Sequence, residues 1–166
     1  MKGKLRKAIV CMVMALMFAL PLNVAQAAPK TVQIMKVTAD YVRVRSEPKQ
    51  GDNVLTRVRK NSKVFYLGAS KTARGWYKIR TDHGTIGYLY KDYLRSYGAA
   101  KLSNIYMVKS SSLSMYKKPK TNSGRVTTLG RNEHVIVYEI QGSWAYVRTL
   151  SGKGGFVKVG SLKKAA

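Results

Sequence analysis

The stretch GWYKIRTDHGTIGYL, residues 75–89, decides how the chain folds. Two short runs rich in β-branched and aromatic side chains, 76–80 and 86–90, flank the turn formers Asp82-His83-Gly84, which is the pattern of a tight hairpin. The chain then writes it again as SWAYVRTLSGKGGFV, residues 143–157, at an offset of 68. Across the nineteen positions from Trp76/Trp144 to Leu94/Leu162, six are identical: Trp76/Trp144, Arg80/Arg148, Thr81/Thr149, Gly84/Gly152, Gly87/Gly155 and Leu94/Leu162. Upstream the offset becomes 71, pairing Ile34/Ile105, Val42/Leu113, Val44/Met115, Pro48/Pro119 and Val64/Val135. The three-residue change falls at 71–75, a loop by composition, where a shared fold tolerates it. An internal repeat of this length means two copies of one small unit.

Each copy reads as short strands. In YVRVR, residues 41–45, Val42 and Val44 alternate with Tyr41, Arg43 and Arg45, and Leu113 and Met115 repeat the inward parity in the second copy. Proline segments at 47–51 and 118–122 are too rich in turn formers for strands. β-branched runs follow at 64–67 and 135–138, and no stretch after the leader has a helical period. The expected fold is all-β: two tandem small β-barrels, over 33–97 and 104–164, joined by a linker at 98–103. Units of about 60 residues lie near the lower size at which a core is self-sufficient.

The order VRVRSEP, LxxV, GWYKIR, GxxGYL and a closing Tyr-Leu resembles the bacterial SH3 (SH3b) family. The first copy matches at nearly every landmark. In the second, Leu113-Ser-Met-Tyr replaces the VRVR start, and Ser143 stands before Trp144 where glycine is usual. The resemblance covers about 34–97 and 105–164 and implies SH3-like, partly open barrels that attach to the bacterial cell wall or recognise peptides near it. Fold likeness alone does not fix a ligand.

The first 27 residues read as a secretory signal peptide. Four cations (Lys2, Lys4, Arg6, Lys7) precede thirteen apolar residues, 8–20, and Ala25 and Ala27 occupy the −3 and −1 positions of a cleavage site. Thirteen residues fall short of the roughly 20 that a spanning helix needs, so no membrane span is expected after processing. Cys11, the single cysteine, lies inside this leader, so the mature chain is expected to have no disulfide, thiol nucleophile or thiolate metal site. The whole chain carries 31 Lys and Arg against 7 Asp and Glu; without the four leader cations the net charge is +20. Each half holds +10, so the field is general rather than a tail, and it favours anionic partners.

Strand parity selects candidate ligand-binding residues. Trp76 and Trp144 share a face with Lys78 and Arg80, and with Tyr146 and Arg148, rather than with the inward Ile79 and Val147. One reading is an outer aromatic platform of Trp76, Tyr88 and Tyr41 in the first copy and Trp144, Phe156 and Tyr116 in the second, since flat rings stack on peptide planes or sugars. The other is that each Trp caps an open barrel end and is mostly buried. Arg43, Arg45, Lys78 and Arg80 flank the first platform and Arg148 the second, as contacts for phosphate or carboxylate groups or as a solvated basic surface.

No catalytic constellation can be assembled. His83 and His134 stand at non-equivalent positions of the two copies, read as turn or surface histidines, and no nucleophile elbow is present. The chain is therefore read as a secreted, envelope-associated, non-enzymatic binding protein, expected to be monomeric, with no cofactor and no metal. Its expected partner is peptidoglycan or an anionic envelope polymer such as teichoic acid or lipopolysaccharide. The alternative is an adaptor that binds an envelope protein such as a cell-wall hydrolase. Nucleic acid suits the charge but not the export signal.

Overall fold

The computed structural model describes residues 30–165; the expected leader and its cleavage site lie outside them. Fourteen strands follow in order: β1 (Thr31–Val37), β2 (Val42–Arg45), β3 (Val54–Val58), β4 (Lys63–Ala69), β5 (Trp76–Arg80), β6 (Ile86–Tyr90), β7 (Leu94–Lys101), β8 (Ile105–Val108), β9 (Ser112–Tyr116), β10 (Arg125–Gly130), β11 (His134–Gln141), β12 (Trp144–Thr149), β13 (Gly154–Lys158) and β14 (Leu162–Lys164). Short 3-10 turns stand at Lys91–Tyr93, Leu102–Asn104 and Val159–Ser161. The hairpin of the opening stretch has its expected limits, with Trp76 opposite Tyr90 and Ile79 opposite Gly87.

The strands form two seven-stranded sheets, β3-β2-β6-β5-β4-β1-β7 and β10-β9-β13-β12-β11-β8-β14. The orders are the same, element by element, so the duplication seen in sequence is a duplication of topology. Asn61 and Asn132, 71 residues apart, both take a left-handed backbone at φ 69° and 65°. The three-residue length change sits between β4 and β5, against the short β11–β12 turn.

The two SH3-like units are partly open, as the resemblance implies: β3 pairs only with β2 and β7 only with β1 within the first sheet, leaving two edges. Register shifts at Ile34/Met35, Val44/Arg45 and Tyr66/Gly68 bend the sheet around its core without joining those edges. The expected linker, 98–103, is strand as far as Lys101 and then a 3-10 turn. β7 pairs with β1 as far as Thr31↔Lys101, so residues 98–101 belong to the first sheet.

Each module has its own core. Val37, Val44, Val64, Ile79 and Leu89 are central to the first, and Val108, Met115, Leu129, Val135, Val147 and Val157 to the second. A third cluster joins the modules: Val32, Ile34, Phe65, Ala100, Ile105 and Leu150, with Ile136 and Ala165 packed against it. The turn after β5 reaches across, and its Asp82 carbonyl oxygen accepts the His134 N–H at 2.8 Å. The His134 ring lies 3.3 Å from the same oxygen through Nδ1 and meets Phe65 edge-on, centroids 5.9 Å apart. Two units near the lower size limit for independent folding thus share buried area.

His134 is buried in this junction, not at the surface where a solvated turn would have left it, while His83 is exposed. Burial holds the His134 pKa below its ordinary 6.5, and the nearby Arg80 charge adds to that, against the Asp82 carbonyl, which raises it. The unfolded chain therefore binds this proton more readily. The stability it contributes is complete above about pH 6.5 and falls as the pH drops further. Thermal unfolding from pH 7.5 to 5 is expected to show a declining midpoint whose slope is flattened in His134→Gln; an unchanged slope would remove His134 as its source.

Candidate functional site

The first module holds a cleft of about 230 Å³ lined by Tyr41, Arg43, Arg45, Trp76, Tyr90 and Tyr93, with Asp40 and Gln50 at its rim. It forms where the β1–β2 turn, the loop at 46–53, the start of β5 and the 3-10 turn Lys91–Tyr93 meet. Tryptophan is the floor. Trp76 leaves the inner core to Ile79, as its strand parity requires, yet is only 8 % exposed because neighbours cover it. Tyr90, directly opposite on β6, meets it edge-on with centroids 5.6 Å apart. Both readings of the tryptophan therefore hold a part of the geometry: it lies outside the barrel interior, and it is mostly buried.

Tyr41 forms the lip. Its φ is 53°, in the left-handed region, and its side chain is 63 % exposed. For a bulky non-glycine residue that conformation costs of order 1–2 kcal/mol, and strain of this kind gathers at ligand-holding places. The Arg59 guanidinium lies 5.9 Å from the centre of its ring. Ser112, at the equivalent place in the second module, is not among the residues with positive φ.

Arg45 forms a wall. It is 4 % exposed and donates to the Gly51 carbonyl oxygen, to Asn53 Oδ1 at 2.9 Å and to Gln50 Oε1 at 2.9 Å. The guanidinium clamps the loop at 46–53 through neutral acceptors, and the acid that shares its cleft is Asp40. Arg43 is exposed at the rim.

In the second module the equivalent place is filled. Tyr116 stands where Arg45 would be and packs edge-on against Trp144 at 5.8 Å, and Lys158, in the place of Tyr90, puts its ammonium 4.1 Å from the Trp144 ring centre. The loop that Arg45 clamps in the first module is here tied by Ser123, whose hydroxyl lies 2.8 Å from the Lys120 carbonyl oxygen and 3.0 Å from the Lys118 nitrogen.

The structure divides the remaining candidates. Tyr88 faces Lys78 across the hairpin, away from the cleft. Arg80 points to the module junction, beside Leu102 and Ile105 on one side and His134 on the other. Phe156 packs on Tyr146 at 5.2 Å, and Arg148 lines a groove between the modules. Tyr90 and Tyr93 belong to the cleft and were missed. Tyr90 was legible in principle, because a hairpin centred on His83 sets residue 90 opposite residue 76. Among the described residues, no three His, Cys, Asp or Glu side chains gather where they could hold a metal ion. None of the described helices is long and apolar enough to cross a membrane.

Against known proteins, the family description "Bacterial SH3 domain" matches residues 40–95 and again 111–163. No curated protein matches the chain. Among solved structures, NlpC2 of Trichomonas vaginalis is 12% identical with a TM-score of 0.35, covering 83% of this chain and 50% of its own. NlpC1 of Trichomonas vaginalis is 14% identical with a TM-score of 0.35, covering 85% and 49%. An NlpC/P60 family protein of Bacillus cereus ATCC 10987 is 8% identical with a TM-score of 0.34, covering 78% and 55%. The chain thus spans about half the length of each.

Proposed function

The chain belongs to the bacterial SH3 domain family, and on that premise we propose that it is an extracytoplasmic binding protein that holds the bacterial cell wall through the cleft of its first module. The observation that carries this reading is the cleft itself. Three flat rings and a strained aromatic lip converge with two arginines, against the single acid Asp40, in a groove open to solvent, which suits a peptide or sugar carrying an acidic group. The surrounding charge supports it: each module is strongly basic, and the wall and its polymers are anionic. Binding proceeds without bond cleavage, and the second module serves as a structural partner whose cleft position is occupied by its own Tyr116 and Lys158.

Co-sedimentation with purified sacculi, intact and stripped of anionic polymers, tests this. The wild type is expected to pellet with both, more weakly with the stripped material and at high salt. Tyr41→Gly removes the lip and its backbone strain together. It is expected to lose about fivefold in retention, the worth of one stacking ring, with no loss of thermal stability. No retention on either material, or full retention of Tyr41→Gly, would overturn the reading; the first result would favour a protein partner. Release of soluble wall fragments by the purified protein would overturn its non-enzymatic part.

A further inference from the structure

The outer face of the second module carries a feature that the first module lacks. Tyr138 on β11 lies 6.4 Å from Tyr146 on β12, Tyr146 lies 5.2 Å from Phe156 on β13, and Phe156 stands directly opposite Tyr116 on β9. The rings thus run across four adjacent strands as one band. Tyr138 is 59 % exposed, and Tyr146 and Phe156 are half-buried. The corresponding positions of the first module are Leu67, Lys78, Tyr88 and Arg45, one aromatic ring against four.

The band ends in a groove of about 140 Å³ built by both modules. Tyr97 of β7 and Tyr138 of β11 stand on it, each more than half exposed, with Lys63 and Arg148 as its cations over a floor that includes Ile34 and Leu150. Lys63 holds its ammonium 4.6 Å from the Tyr97 ring centre, so the charge is positioned beside the ring rather than free in solvent. No acidic residue lines this groove. Glu139, the nearest acid along β11, lines an adjoining hollow with Tyr106 and Ile140 that shares Tyr138 with the groove, and it accepts a hydrogen bond from Gln141 at 2.8 Å.

We propose that the aromatic band of the second module and the groove at its end form a second binding site, for an anionic glycan chain. Successive sugar rings lie on Tyr138, Tyr146 and Phe156, and a carboxylate or phosphate borne by the chain sits between Lys63 and Arg148. Flat, exposed, tilted rings in sequence offer apolar faces to the C–H faces of sugars. A single basic patch would attract any polyanion, whereas the band adds a shape that a flexible polyphosphate or peptide does not use. The groove exists because the junction cluster fixes the two modules together, which gives the duplication a use beyond avidity. None of its residues lines the cleft, so the two sites stand or fall separately.

The probe is polygalacturonate, a carboxylate-bearing glycan, compared with the neutral hexamer of N-acetylglucosamine, by calorimetric titration of the full chain at 0.15 and 0.4 M salt. Polygalacturonate is expected to bind the wild type at both salts and more tightly than the neutral hexamer. Tyr138→Ala with Tyr146→Ala is expected to weaken it by about tenfold, as two stacking rings are lost, at unchanged net charge. Tyr138→Leu keeps an apolar side chain without the flat ring, and is expected to weaken binding in the same direction even if the double variant folds poorly. Arg148→Gln should lose binding mainly at 0.15 M salt. Wild-type affinity in the tyrosine variants would overturn the site, leaving a general basic surface, and equal binding of the neutral hexamer would overturn its anionic ligand.

Discussion

Gly87→Val is expected to lower the thermal unfolding midpoint by about 10 °C, from roughly 3 kcal/mol of overpacking. A Cβ at Gly87 would lie 2.6 Å from the Arg45 carbonyl oxygen and 2.6 Å from Val44 Cγ1. The first of these is backbone and cannot swing away, so β6 must separate from β2, carrying with it the wall of the cleft. Gly155 repeats the constraint in the second module, with a Cβ 2.7 Å from the Tyr116 carbonyl oxygen and 2.7 Å from Met115 Cγ. Gly155→Val is therefore expected to cost a similar amount while sparing the cleft. Gly160→Ala is the control, since nothing lies within 4 Å of its added carbon and its φ is not in the left-handed range. Calorimetry of the three variants checks this. A Gly87→Val protein as stable as the control would mean that the two strands are not held this closely.

Leu150→Asp has the second large expected effect, and it falls on the junction rather than on either core. Leu150 is 2 % exposed among the apolar Val32, Ile34, Phe65, Ala100 and Ile105, and the cations near it, Lys63 and Arg148, line the groove on its other side rather than the cluster. Burying a charge in that cluster is expected to cost about 3 kcal/mol. The least costly response is to part the modules, because the core cluster of the second module does not include residue 150. Two unfolding transitions in place of one, and a larger radius of gyration by X-ray scattering, are the expected result. A single transition at wild-type dimensions would mean that the junction cluster does not couple the modules.

The parts of this structure that were legible in the chain are those set by local pattern. The hairpin limits at Trp76–Arg80 and Ile86–Tyr90 follow from β-branched and aromatic runs broken by Asp82-His83-Gly84, and the repeat offset announced the shared topology. Parity placed both tryptophans off the inner face, as observed. What parity cannot give is what covers an outward side chain. Trp76 is enclosed by Tyr90 and by the 3-10 turn bearing Tyr93, and turns that fold back over a sheet leave no periodic mark. Parity ranked Tyr88 with Trp76 because they share a face, whereas the antiparallel register puts Tyr90 opposite it. The stretch at 98–103 reads as a short linker between the copies, and its first four residues continue β7 beside the junction, with Ala100 buried. His134 looked like the start of a solvated strand because its partner, the Asp82 carbonyl oxygen, is 52 residues away. Arg45 was chosen as an outward cation, and its clamp on the loop at 46–53 is visible only once that loop has folded over it.

The chain has two tryptophans, one in the cleft and one packed beneath Tyr116 and Lys158, so their indole N–H resonances report the two places separately. Soluble peptide fragments released from sacculi, free of sugar, titrated into the ¹⁵N-labelled full chain test wall binding by the first module at single-residue resolution. The Trp76 indole signal is expected to shift and saturate, with the backbone amides of Tyr41 and Tyr93 following the same curve, while Trp144 stays in place. A Trp76 signal that remains fixed through the titration, or a shift at Trp144 alone, would contradict it.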